Sequence, residues 1–185
     1  MIHVSGQVFS LLALLAVLFA GAVALAALAR RTAALRAFFA GLELPVATAV
    51  AVTATGGSLF YSEVVGLTPC ALCWVQRAFM FPLVALVPAV ALAPRLLRPL
   101  VLTLTAGGAG VALWHTALER LPAAPSGPCA ADVPCDVPVF EIFGFVSLPV
   151  MALAGFLAIG ALTWLSGRPT TISSHHRDDR QGARS

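Results

Sequence analysis

Five apolar runs, each long enough to cross a lipid bilayer, constrain this chain more than any other feature. Residues 8–29, 100–118 and 143–165 carry no charged side chain at all. Residues 44–65 carry one acid, Glu63, near their end, and residues 71–93 carry one cation, Arg77, near their start. At about 1.5 Å of rise per residue, about 20 helical residues match a hydrocarbon core roughly 30 Å thick. Lipid offers no partner to a free amide or carbonyl, so each run must satisfy its backbone internally as a helix. The expected architecture is an all-α integral membrane protein with five spans. The whole chain agrees, being 59% hydrophobic and 10% charged with a mean hydropathy of +0.94. That balance lies outside the range of soluble domains.

The first run raises the alternative of a cleaved signal peptide, because Ala27-Leu28-Ala29 resembles an A-x-A site. Two features oppose it. The preceding residues MIHVSGQ contain no Lys or Arg, and the run exceeds the usual 7–15 apolar residues. The run is expected to be retained.

All eleven basic residues are arginines. If Arg30, Arg31, Arg36, Arg95, Arg98, Arg168, Arg177, Arg180 and Arg184 face the cytoplasm, only Arg77 and Arg120 lie outside. The positive-inside rule then places the N-terminus outside and the C-terminus in the cytoplasm, as an odd number of spans requires. The net charge of +3 reports this orientation and gives no sign of a nucleic-acid partner.

The chain divides into three segments. Residues 1–43 hold the first span and an amphipathic stretch, RRTAALRAFFAGLE, expected to lie on the cytoplasmic surface. Residues 44–165 hold the other four spans. Residues 166–185 form a polar tail, expected to be disordered and to carry His175-His176 in solvent rather than on a metal. Within the second span, Gly56-Gly57 between Thr55 and Ser58 offers a small face for a neighbouring helix. APRLLRP reads as a tight cytoplasmic turn between the third and fourth spans.

The four cysteines fall in two pairs. Cys70 and Cys73 precede or open the third span, and Cys129 and Cys135 lie in a proline-rich loop between the fourth and fifth. Arginines alone put both loops outside the cytoplasm, where disulfides form and persist. Three uses compete: structural disulfides, a metal site of four thiolates, and two redox-active dithiols. A ring closed by Cys-x-x-Cys constrains an unfolded chain little, so it makes a poor staple. The five-residue spacing of the second pair is loose for zinc. Exchange is the use that Cys-x-x-Cys spacing favours.

Local chemistry supports exchange. Thr68-Pro69 before Cys70 suggests a helix start, whose free amides stabilise a thiolate. Arg77 lies four residues after Cys73, on the same helical face, where a low dielectric strengthens attraction to a sulfur anion. The plainer role for Arg77 is to reach the outer headgroups. Asp132 and Asp136 put negative charge beside the second pair, which suits a relay better than a tuned nucleophile. No flavin, dinucleotide or haem motif is present, so a lipid-soluble quinone is the economical electron acceptor. His115, near the outer end of the fourth span, could bond a quinone carbonyl or serve as a structural histidine.

These residues resemble the bacterial DsbB family of disulfide-formation proteins, and most closely its BdbC-like branch. FYSEVVGLTPCALCWVQRAFMFP is similar to that branch's first dithiol region, with its P-C-x-L-C-W-x-Q-R pattern. The second pair followed by FEIFGFVSLPVMALAGF, and the helix end WHTALERL, are similar to later parts of the family. The resemblance implies a DsbB-like four-helix bundle over residues 44–165, preceded by one additional N-terminal transmembrane helix. It implies a protein dithiol:quinone oxidoreductase in the bacterial cell membrane. Cys70–Cys73 would be the quinone-coupled disulfide, with Cys73 nearer the quinone, Arg77 favouring its thiolate adduct and His115 near the quinone. Cys129–Cys135 would exchange with a DsbA-like thioredoxin-fold partner on the extracytoplasmic side. The acceptor would be ubiquinone or menaquinone, with no metal involved. Two readings stand beside this one: a non-enzymatic membrane protein with structural disulfides, and a quinone enzyme like vitamin K epoxide reductase. In the latter the quinone-proximal Cys-x-x-Cys comes after the shuttle cysteines, whereas here it comes first.

Overall fold

The computed structural model describes residues 2–29, 31–121, 129, 135–138 and 141–167. Most of the proline-rich loop, the tail beyond Gly167 and His175-His176 lie outside the described residues. Six α-helices are formed among the described residues: α1 (Ile2–Leu28), α2 (Ala33–Phe39), α3 (Glu43–Leu59), α4 (Ala71–Ala89), α5 (Pro94–Arg120) and α6 (Leu148–Leu165). All but the seven-residue α2 are long and apolar enough to cross a membrane.

Helices α3, α4, α5 and α6 pack in a closed ring, each against its neighbours in that order and α6 back onto α3. Helix α1 stands outside the ring and packs along α6. Apolar burial gives helices no advantage over lipid, so close approach through small residues must hold them together. Gly107 and Gly108 on α5 serve this purpose. A Cβ at Gly107 would lie 2.8 Å from Phe79 of α4, and one at Gly108 would strike the ring of Phe156 on α6. Phe156 is fully buried at the centre of the core with Leu83, Val87 and Ile159. The small face expected on α3 is used in the same way, since Phe9 of α1 packs directly over Gly57.

The end of the bundle away from the cysteines is tied by arginine. Arg36 donates to the carbonyl of Leu165 at 3.0 Å, and Arg98 to those of Thr163 and Trp164 at 3.1 and 2.9 Å. These carbonyls have no partner within α6, and cations there also complement the helix dipole. At the opposite end Arg120 pairs with Glu141 at 2.9 Å and donates to the carbonyl of Phe145.

Two boundaries differ from expectation. Residues 94–99 are not a turn but the start of α5, because Pro94 sits at the first helical position, where its missing N–H is no loss. The last span begins at Leu148 rather than near residue 143. Phe143 and Gly144 both adopt positive φ, 57° and 74°, and close a tight reversal in which Ile142 and Val146 exchange backbone bonds. Such a turn cannot continue into a helix, and Ser147 then enters α6 from an extended conformation.

Candidate redox site

Helix α3 ends in a single π turn, Phe60–Val64, and Gly66, at φ 80°, turns the chain towards the first cysteine pair. Widened turns of this kind are frequent at functional sites. Proline disfavours helical geometry at the residue before it, so Thr68-Pro69 holds the chain out of the helix and Cys70 becomes the N-cap of α4. Its sulfur accepts the otherwise unpaired backbone N–H of Cys73 at 3.3 Å. The two sulfurs lie 2.8 Å apart as free thiols, well inside van der Waals contact and a short movement from bonding distance.

His115 of α5 comes to the same point from 45 residues away, its Nε2 3.7 Å from the Cys70 sulfur. Gln76, one turn into α4, places its amide nitrogen 3.4 Å from His115 Nδ1. With Gln76 as donor there, the ring proton resides on Nε2 and points at sulfur. The Cys70 thiol is held well below the ordinary thiol range. The largest cause is the hydrogen bond from Cys73, with His115 and the Cys73 backbone N–H adding to it against the opposing effect of burial.

Arg77 is 7% exposed, so it does not reach out to the headgroups. Its Nε donates to the Ser58 hydroxyl at 2.9 Å, and one terminal nitrogen donates to the Ser58 carbonyl and the Ser62 hydroxyl at 2.8 and 2.9 Å. Trp74 and Phe81 lie against the guanidinium, 5.0 and 6.0 Å from their ring centres. Among the described residues no carboxylate pairs with Arg77. A buried cation satisfied only by neutral groups creates a strong preference for an anion beside it.

Cys129 and Cys135 are joined by a disulfide, with Cα atoms 5.8 Å apart. Cys135 is buried at 3% exposure and clusters with Cys70, Leu72 and Leu118, and Cys129 packs on that cluster while staying partly exposed. Both sulfur pairs therefore meet at one end of the bundle, one bonded and the other open. Asp136 is described nearby, whereas Asp132 lies outside the described residues.

Beneath the first pair runs a cavity of about 390 Å³. Cys70, Cys73, Gln76, Arg77, His115 and Glu119 line its polar end together with Ser58 and Ser62, and mostly aliphatic and aromatic side chains line the remainder. Glu119 and Gln76 were not singled out from the sequence as site residues. The available signal was spacing: Glu119 lies four residues after His115 and Gln76 three after Cys73, each on the same helical face. Glu119 is also tied to Ser147 at the start of α6 by a short hydrogen bond.

The sulfurs of Cys70 and Cys73 and a nitrogen of His115 all lie within 4.8 Å of one another, and thiolate and imidazole are ligands of soft cations. Bonds of about 2.3 Å to a tetrahedral zinc would hold two sulfurs nearly 4 Å apart, whereas these lie at 2.8 Å. The spacing fits a dithiol about to close better than a metal centre.

The fold and site define a multi-pass helical membrane protein that carries out dithiol–disulfide chemistry. Comparison with known proteins makes this particular. The family model for disulfide bond formation protein DsbB matches residues 42–166, and the chain belongs to that family. It is 38% identical over 114 residues to a probable disulfide formation protein C from Bacillus cereus, covering 60% of this chain and 82% of that one. It is 42% identical over 125 residues to a probable disulfide formation protein from Metapseudomonas resinovorans, covering 66% and 87%. Disulfide bond formation protein C of Bacillus subtilis is 36% identical over 113 residues, covering 60% and 81%. No solved structure matches significantly. The protein's work is thus disulfide-bond formation at a membrane, an oxidoreductase activity. Helix α1 lies outside the matched region.

Proposed function

We propose that this protein is a dithiol:quinone oxidoreductase that reoxidises a DsbA-like thioredoxin-fold partner outside the cytoplasm. One observation carries the reading: two sulfur pairs share a cluster at the head of an apolar cavity whose polar end holds His115 and a buried Arg77 with no carboxylate partner among the described residues. A quinone fits that cavity, since an apolar tail suits its length and the ring oxygens suit Arg77 and His115. When bound, the quinone takes up two electrons and two protons and leaves as the hydroquinone.

Burial sets the order of the steps at sulfur. Cys129 is the more exposed member of its pair, so the partner's thiolate attacks it, forming a mixed disulfide and releasing Cys135 as a thiolate. The partner's second thiol resolves that bond and leaves with a disulfide, its two electrons now held by Cys129 and Cys135. The buried Cys135, which shares a cluster with Cys70, attacks the Cys70–Cys73 disulfide at Cys70, expelling Cys73 as a thiolate. Cys129 then attacks Cys135, which restores the outer disulfide and leaves Cys70 and Cys73 reduced. Arg77 stabilises negative charge at the polar end of the cavity, and His115 holds or gives a proton at Nε2 beside Cys70. Reclosure of Cys70–Cys73 delivers the electron pair to the acceptor.

The cysteines and the polar cavity end lie opposite the end that carries Arg36, Arg95 and Arg98, which supports an extracytoplasmic site in the cell membrane. The test is direct. Purified protein given a reduced thioredoxin-fold partner and a quinone should bleach the quinone in proportion to partner oxidised, and Cys70→Ser or Cys73→Ser should abolish bleaching. Undiminished bleaching in both variants overturns the reading.

A further inference from the structure

Helix α1 is absent from the family match, yet it contributes to the cavity wall. Nine residues of α3 and its π turn, from Val46 to Ser62, spaced by three and four or paired on one face, line the cavity over 16 helical steps. That is about 24 Å, most of the thickness of a hydrocarbon core. Facing them are Phe9, Leu12, Ala13 and Ala16 of α1, again at helical spacing. Phe9 locks the two walls together, packing over Gly57 and lying 5.9 Å from the ring of Tyr61. Further out, Ile142 packs against Gly6, so α1 is pinned beside the start of α6 as well. The opposite face of α1 is not shaped for protein contact, since Leu11, Leu15 and Leu18 are 53 to 70% exposed and face lipid.

We infer that α1 is a resident wall for the quinone's isoprenoid tail, closing on the lipid side a cleft otherwise bounded by α3, α4 and α6, with α5 at its polar end. This rests on the quinone reading above and adds to it an element from outside the family's shared region. The physical reason lies in the small side chains. Ala13 and Ala16 leave room between α1 and α3 where any larger residue would fill the cleft, and Ala13 is buried although its neighbours Leu12 and Leu11 are exposed. A flexible apolar chain gains little from leaving lipid, so a preformed slot of matched width is what converts lipid solubility into retention. Ring recognition at Arg77 and His115 is then separate from tail recognition at α1.

The experiment uses the full chain in lipid nanodiscs with a reduced thioredoxin-fold partner. Each quinone ring, benzoquinone or naphthoquinone, is supplied without a tail and with four isoprene units. In Ala13→Trp and Ala16→Trp the KM for the tailed form should rise about tenfold or more relative to the tail-less form. In Leu11→Trp, which faces lipid and does not line the cavity, the ratio should stay as in wild type. An unchanged ratio in both alanine variants, or an equal change in all three, overturns the assignment. Failure of the wild type to reduce any quinone overturns the quinone reading itself. A second measurement does not depend on turnover or on the folding of variants: a quinone analogue with a photoreactive group on its tail, activated in wild-type protein. Adducts on residues 9–16 support the wall, and adducts confined to α3 and α6 overturn it.

Discussion

The sulfur of Cys70 and Nε2 of His115 lie 3.7 Å apart, joining the N-cap of α4 to the C-terminal part of α5 across 45 residues of sequence. The contact makes Cys70 a thiol whose anion is solvated by protein. Cys73, through its thiol and backbone N–H, and His115 all direct hydrogen-bond donors at it.

This sets a pH dependence for the reduced protein. The folded-state pKa of Cys70 is depressed, while in the unfolded chain it is near 8.5. Above about pH 8.5 both states hold the thiolate and its contribution to stability is complete. As pH falls below that value, the unfolded chain takes up a proton first, and stability declines by about 1.4 kcal/mol per pH unit until the folded thiolate also protonates. Thermal unfolding of reduced protein in detergent from pH 9 downwards should show this decline, and Cys70→Ser should lack it. His115→Ala should raise the midpoint of thiolate ultraviolet absorbance by about one pH unit, the effect of one charge-assisted hydrogen bond.

Arg77→Met should reduce quinone turnover by roughly 100-fold, the usual scale for removing a preorganised charge from a dry site. Exchange between the partner and Cys129–Cys135, read as loss of partner thiols under single-turnover conditions, should be little altered. Arg77→Lys should recover only part of the loss, because one ammonium cannot span Ser58 and Ser62 as the guanidinium fork does.

The difference in burial between Cys129 and Cys135 predicts where the partner attaches. A thioredoxin-fold partner lacking its second active-site cysteine should form a stable mixed disulfide with the wild-type protein. Peptide mapping should place that bond at Cys129. Attachment at Cys135 would contradict the direction of relay drawn from its burial in the cluster that holds Cys70.

Gly108→Ala should destabilise the bundle by about 1–3 kcal/mol, because the added methyl meets the ring of Phe156 where no space exists. Phe156→Leu introduced beside it should recover part of the loss in a thermal unfolding series. Gly110→Ala, at a position with open space, should be close to neutral and serves as the comparison.

The five spans were legible because each is a one-dimensional property, apolar length against bilayer thickness. The helix start at Cys70 was legible from Thr68-Pro69 and borne out by the N-cap geometry. The helix ends around residues 94 and 148 were misjudged because proline and a positive-φ turn act locally, within stretches whose hydropathy looks continuous. Arg77 was visible as a cation one turn from Cys73, but its partners were not. Ser58 is 19 residues away on another helix, and only packing of α3 on α4 selects it over a headgroup.

By itself the sequence determined that this chain is a membrane bundle with two cysteine pairs at the same end. Runs of apolar residues, the sign of the loop charges and the spacing of thiols require no knowledge of what touches what. Tertiary structure alone decided that His115 meets Cys70, that Cys135 joins the same cluster, and that α1 closes the cavity. Each of these depends on how helices cross, and crossing is set by small residues and large rings fitting one another at positions far apart in the chain, as Gly57 receives Phe9 and Gly108 receives Phe156.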